Sequence, residues 1–184
     1  MKIFLELQNA TAQNLNLPPY RTMRRWVALA LKSASFKEHA ALTVRFTDKE
    51  EIQSLNSKYR GLDKPTNILS FPAQEELSDA PVNNPADAAC GSEETREKAL
   101  DFIDLPERGA ALYLGDLVIC PQVLEAEAWE QHKSVHEHLA HLIIHGCLHL
   151  LGYDHIKEAE AARMESLEIA VLRRLGWRNP YVEN

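Results

Sequence analysis

Hydrophobic and polar positions divide this chain into short segments with two different periods. Residues 2–8, KIFLELQ, alternate Ile3, Leu5 and Leu7 with Lys2, Phe4 and Glu6, which predicts a strand with one buried face. Pro18 and Pro19 break the chain, and YRTMRRWVALALKS at 20–33 then sets Met23, Trp26, Val27, Ala30 and Leu31 on one helical stripe. ALTVRFT at 41–47 predicts a second strand, with Leu42, Val44 and Phe46 inward. A helix follows at once: Asp48 with Glu51 resembles a capped start, and Ile52, Leu55 and Tyr59 keep helical spacing. NILSFP at 67–72 reads as a short strand ended by proline, and ALYLGDLVIC at 111–120 as another, before a helix with Pro121 in its first turn.

The stretch SVHEHLAHLIIHGCLHLL, 134–151, has no proline, carries Ser134 and Glu137 at capping-box spacing, and ends at Gly152. A last helix over 157–175 turns Ala161, Met164, Leu167, Leu172 and Leu175 toward a core and closes at Gly176. Strands early and late with helices between them predict an α+β fold, a small mixed β-sheet packed with several helices, as a single domain over 1–184. Residues 73–110 depart from both periods. Pro81, Pro85, Pro106 and the run NNPADAACGSEE have the composition of a flexible insertion, with room for a short helix near 93–100.

Charge sharpens that division. The net charge of −7 argues at first against a nucleic-acid partner. Residues 73–110, however, hold ten acids against three bases, so the rest of the chain is formally neutral and leaves room for a local basic site. The N-terminus carries Glu6 within its first apolar run and no long apolar region, so neither a signal peptide nor a membrane span is expected, and the expected location is the cytoplasm. Cys90, Cys120 and Cys147 are odd in number and lack CxxC spacing, which fits reduced thiols in that compartment.

Candidate chemistry concentrates in HGCLHLLGYDH, 145–155. His145 and His149 lie one turn apart on one helical face, and a left-handed Gly152 would swing the chain back to bring His155 to the same point. Three imidazoles leave a fourth position on a divalent ion open, the arrangement of catalytic zinc; imidazoles also suit nickel, copper and iron. His138 and His141 fall near the same face as outer partners or alternative ligands, while His132 and His136 read as surface residues and His39 carries no signal. Cys147 points away from that face and reads as a core thiol. The spacing HxxxHxxGxxH is that of metzincin metalloproteases, but Gly146 stands where their general-base glutamate would be, which argues against peptide hydrolysis by that route.

A second stretch suits phosphate. The loop after the second helix gathers Lys58, Arg60 and Lys64 beside Asn56, Asp63, Thr66 and Asn67, a set of charged and polar donors for phosphate oxygens; a solvated basic loop is the plainer alternative.

HGCLHLLGYDH, NSKYRGLDKPTNILSFP at 56–72 and LGDLVIC at 114–120 together resemble the bacterial endoribonuclease YbeY family of rRNA maturation factors, in the family's order and over most of residues 40–180. The resemblance implies a zinc-dependent single-strand endoribonuclease acting in 16S rRNA 3′-end maturation and ribosome quality control. It implies His145, His149 and His155 as metal ligands, and Arg60 as the functional arginine. Arg60 and His145 are then the candidate catalytic residues, and Lys58, Arg60, Lys64 and Asn67 the candidate substrate contacts. The implied partners are an rRNA precursor and the small ribosomal subunit, with ribosomal proteins or an assembly GTPase as further candidates. The long acidic stretch at 73–110 is a departure, since family members have a short segment there and its charge opposes RNA. The competing functions are a non-catalytic, zinc-stabilised ribosome-assembly factor and a metzincin-like metallohydrolase. The general base is open among Asp154, Asp116 and a hydroxide on the metal.

Overall fold

A computed structural model describes residues 1–13, 16–73, 111–155 and 157–182. The expected acidic insertion and its short helix near 93–100 therefore lie, from residue 74 onward, outside the described residues. Among those described, the strands are β1 (Ile3–Asn9), β2 (His39–Phe46), β3 (Ile68–Pro72) and β4 (Ala111–Ile119). The helices are α1 (Tyr20–Ser33), α2 (Lys49–Arg60), α3 (Pro121–Glu130), α4 (Val135–Leu150) and α5 (Glu158–Arg174). No helix of the described residues is long and apolar enough to cross a membrane.

The four strands form one mixed sheet in the order β1-β2-β4-β3, with β1, β2 and β4 parallel and β3 antiparallel to β4. The expected α+β class is the one observed. Strand alternation then assigns side chains to two faces. Ile3, Leu5, Leu42, Val44, Phe46, Leu117 and Ile119 point to the face covered by α1 and α4, on which α5 packs in turn, and they join the Met23–Leu31 stripe of α1 in the main core. Leu69, Val118 and Cys120 point to the other face and meet Ile52 of α2 in a smaller cluster.

Two details show tertiary structure overriding local signals. Asp48 precedes α2 but makes no cap hydrogen bond. Its carboxylate instead accepts from the Thr11 hydroxyl and from the Gln122 amide at 3.2 Å, tying the loop after β1 to the starts of α2 and α3. β4 carries a bulge, with Ala41 of β2 paired to Tyr113 and Leu42 to Gly115. Gly115 adopts φ +130°, and a Cβ there would overlap the Phe71 carbonyl, so only glycine lets β3 close on β4.

Candidate metal centre

The centre is built on α4. Ser134 caps the helix by accepting from the Glu137 amide at 3.1 Å, as its spacing predicted. At the other end Gly152 takes φ +84°, and the Gly152 and Tyr153 amides bond back to the His149 and Leu148 carbonyls at 2.9 and 3.1 Å. The chain thus folds over the helix end and returns His155 toward His145 and His149. Asp154 fixes the turn by accepting from the His155 amide at 2.6 Å.

The three rings converge. Each offers a nitrogen, and these atoms all lie within 4.8 Å of one another. His145 Nε2 and His149 Nε2 are 3.0 Å apart, close to the separation of about 3.3 Å that tetrahedral zinc with Zn–N bonds of ~2.0–2.1 Å imposes on two ligands. The donor set fits such an ion chemically: imidazoles only, with His155 exposed on the open side. Burial, and then the neighbouring His145 and His155 rings, push the His149 pKa down to about 4, so this imidazole is neutral at pH 7. Neutral imidazole is the form that ligates a metal.

Behind the triad lies a residue the sequence pattern did not single out. Glu168 of α5 is fully buried and reaches His145 Nδ1 with Oε1 at 2.8 Å and His141 Nε2 with Oε2 at 3.2 Å; Oε2 also accepts from the Tyr181 hydroxyl. Burial raises its pKa, but the hydrogen bonds from His141, His145 and Tyr181 outweigh that and hold it at about 2, so the carboxylate is ionised. A signal existed. Glu168 stands four residues from both Met164 and Leu172, on the apolar stripe of its helix, where a charge requires a partner.

The other histidines separate. His141 belongs to the Glu168 cluster, whereas His138 bonds to Glu127 of α3 at 2.8 Å and lies away from the triad. His132 is exposed, His136 meets the Asn16 carbonyl at 3.3 Å, and His39 accepts from the Lys2 amide at 3.1 Å. Cys147 is buried in the main core, which pushes its thiol up to about 12. Asp116 accepts from the Tyr113 hydroxyl at 2.5 Å on the sheet face opposite α4, so of the two carboxylates weighed as bases only Asp154 adjoins the triad.

Gly146 also finds a physical reason. A Cβ there would meet Leu117 Cδ2 at 2.7 Å and Ile68 Cδ1 at 3.0 Å, because α4 lies directly on β3 and β4 at this point. Glycine is what allows that approach, and a larger residue in its place would have to push the Leu117 and Ile68 side chains aside.

The same contact places the basic loop. Lys58, Arg60 and Lys64 are all exposed, with Lys58 Nζ 5.0 Å from the Tyr59 ring. Lys58 and Arg60, expected in the loop, form the last turn of α2, and the loop bearing Lys64 is tied back to that helix: buried Asn56 donates to the Lys64 carbonyl at 2.8 Å, and Gln53 donates to Asp63 at 2.9 Å. Asn67, expected among the substrate contacts, makes hydrogen bonds within the framework. Its Oδ1 accepts from the Ile68 amide at 2.7 Å and its Nδ2 donates to Glu127 at 2.8 Å. The loop thus runs through Asn67 into Ile68, which packs against α4 at Gly146.

A family model described as endoribonuclease YbeY matches residues 7–176 of this chain. Among solved structures, the solution structure of TM1509 from Thermotoga maritima is 20% identical, with 99% of this chain and 97% of that chain covered and a TM-score of 0.49.

Proposed function

This chain belongs to the endoribonuclease YbeY family, and from that premise we propose that it is a zinc-dependent, single-strand endoribonuclease acting in 16S rRNA 3′-end maturation and ribosome quality control. The family supports a nuclease acting on RNA in rRNA processing. The observation that carries the finer statement is the convergence of His145, His149 and His155 on one point with an open side.

In this proposal His145, His149 and His155 hold the ion. What zinc supplies when bound is Lewis acidity toward a phosphoryl oxygen and the attacking oxygen. The chain's own residues do the rest. Arg60, with Lys58 and Lys64 beside it, binds the phosphate through charge-assisted hydrogen bonds and offsets charge that develops on its oxygens. These side chains are exposed and hence free to meet a single strand; Lys58 and Arg60 stand on the last turn of α2, and Asn56 and Asn67 hold the loop that bears Lys64. Asp154, which meets His155, is the carboxylate that this proposal assigns to accept a proton. Gly146, whose added Cβ would crowd the Leu117 and Ile68 side chains, serves packing at the helix position that holds the glutamate base of a zinc peptidase, which weighs against peptide hydrolysis.

The substrate would be an rRNA precursor on the small subunit, with ribosomal proteins or an assembly GTPase as partners, in the cytoplasm, where the free thiols of Cys120 and Cys147 would stay reduced. The test is cleavage of a 16S precursor by zinc-loaded Arg60→Ala beside the wild type. A fall of roughly 10²–10³-fold is expected for loss of a charge-stabilising donor. An Arg60→Ala protein that folds, binds zinc and cleaves like the wild type would instead fit a scaffold that merely contains zinc.

A further inference from the structure

We propose that Glu168 is the positioning residue of the metal centre: its carboxylate takes the Nδ1–H of His145 and so fixes that ring in the tautomer that presents Nε2 to the ion. This rests on the metal site proposed above.

Glu168 comes from α5, not from the motif, and no part of it reaches solvent. A buried carboxylate is costly unless its lone pairs are taken up. Among the described residues its hydrogen bonds are all made to one group of side chains: Oε1 to His145, Oε2 to His141 and Tyr181. An ionised carboxylate only accepts, so the hydrogen between it and His145 belongs to Nδ1. The lone pair of His145 is then on Nε2, the atom that faces His149 Nε2 at 3.0 Å. A ligating histidine that donates its second nitrogen to a carboxylate is held in both tautomer and orientation.

Tyr181 extends the device to the C-terminal segment. Its hydroxyl donates to Glu168 and its ring stands edge-on to His141, with centroids 5.8 Å apart. His141 in turn stands edge-on to His145 at 6.2 Å. One carboxylate thus fastens the last turns of α4, the middle of α5 and the chain beyond it around a single imidazole.

Two readouts test this. In the metal-free wild type, long-range ¹H–¹⁵N correlation of the imidazoles should show His145 protonated at Nδ1 and bare at Nε2. The opposite tautomer would overturn the proposal whether or not any variant folds. In zinc titrations against a chromophoric chelator, Glu168→Gln should bind zinc about 10–100-fold more weakly than the wild type, and Tyr181→Phe should show a smaller loss. Zinc binding by a folded Glu168→Gln protein within about twofold of the wild type would also overturn it. If the wild type takes up no zinc, the metal site itself fails, and the tautomer still decides the role of Glu168.

Discussion

Position 146 shows how much a single missing side chain decides. Glycine there lets α4 rest on Leu117 and Ile68, so the residue that in a peptidase would be the base is here a packing contact. Gly146→Ala should destabilise the metal-free protein by ~1–3 kcal/mol through overpacking, read from urea unfolding; an unchanged midpoint would mean that the sheet yields more easily than its packing implies. The histidines make a prediction about pH. His149 titrates near 4 when folded and near 6.5 when unfolded. Above 6.5 both states are neutral and the stability is fully present. As pH falls from 6.5 toward 4 the unfolded chain takes up a proton that the native site refuses, so stability is lost across that window. Melting temperatures of the metal-free protein should fall more steeply there for the wild type than for His149→Gln, and parallel curves would contradict it. The triad was legible in the sequence because spacing alone brings i and i+4 together and a glycine turn returns His155. Glu168 was not, because a lone glutamate in an amphipathic helix looks like a solvated one until the position of its stripe is considered.

Among the elements, periodicity located what local forces decide. The helix predicted over 20–33 is α1 with the same bounds, and its five predicted core residues are all buried. What periodicity could not reach are bonds between segments far apart in the chain. Asn67 at the start of β3, Glu127 of α3 and His138 of α4 form one line of hydrogen bonds, each of 2.8 Å, joining the end of the basic loop to the helix that carries the triad. In sequence, Asn67 looks like a donor for a ligand, since its partner lies sixty residues on. His138 is buried, so His138→Ala should cost ~1–3 kcal/mol by leaving Glu127 short of a partner. Zinc stoichiometry should be unaltered, because His138 lies outside the triad. Thermal unfolding with metal analysis checks both, and loss of zinc from a folded His138→Ala protein would place that residue in the site after all.

For the molecule as a whole, charge is the feature that sequence and family pull in opposite directions. The ten acids and three bases of residues 73–110 account for the net −7, and RNA favours a surface without them. The ends of this stretch meet the sheet as neighbours: Pro72 pairs with Gly115, and the Ala73 amide bonds to the Leu114 carbonyl at 2.9 Å. Replacing residues 74–110 by a short polar turn should therefore leave the fold and zinc binding intact and tighten single-stranded RNA binding at low salt, measured by fluorescence anisotropy. Weaker RNA binding by a folded, shortened protein would assign the stretch a part in recognition.

In the proposed function a metal held by three histidines makes this chain a nuclease. The direct measurement is cleavage of a single-stranded rRNA precursor by protein stripped with chelator, reloaded with zinc, and compared with His149→Ala handled identically. Cleavage that returns with one zinc per chain and is lost in the variant is the predicted result. Equal cleavage by His149→Ala, or none by the zinc-loaded wild type, would contradict it.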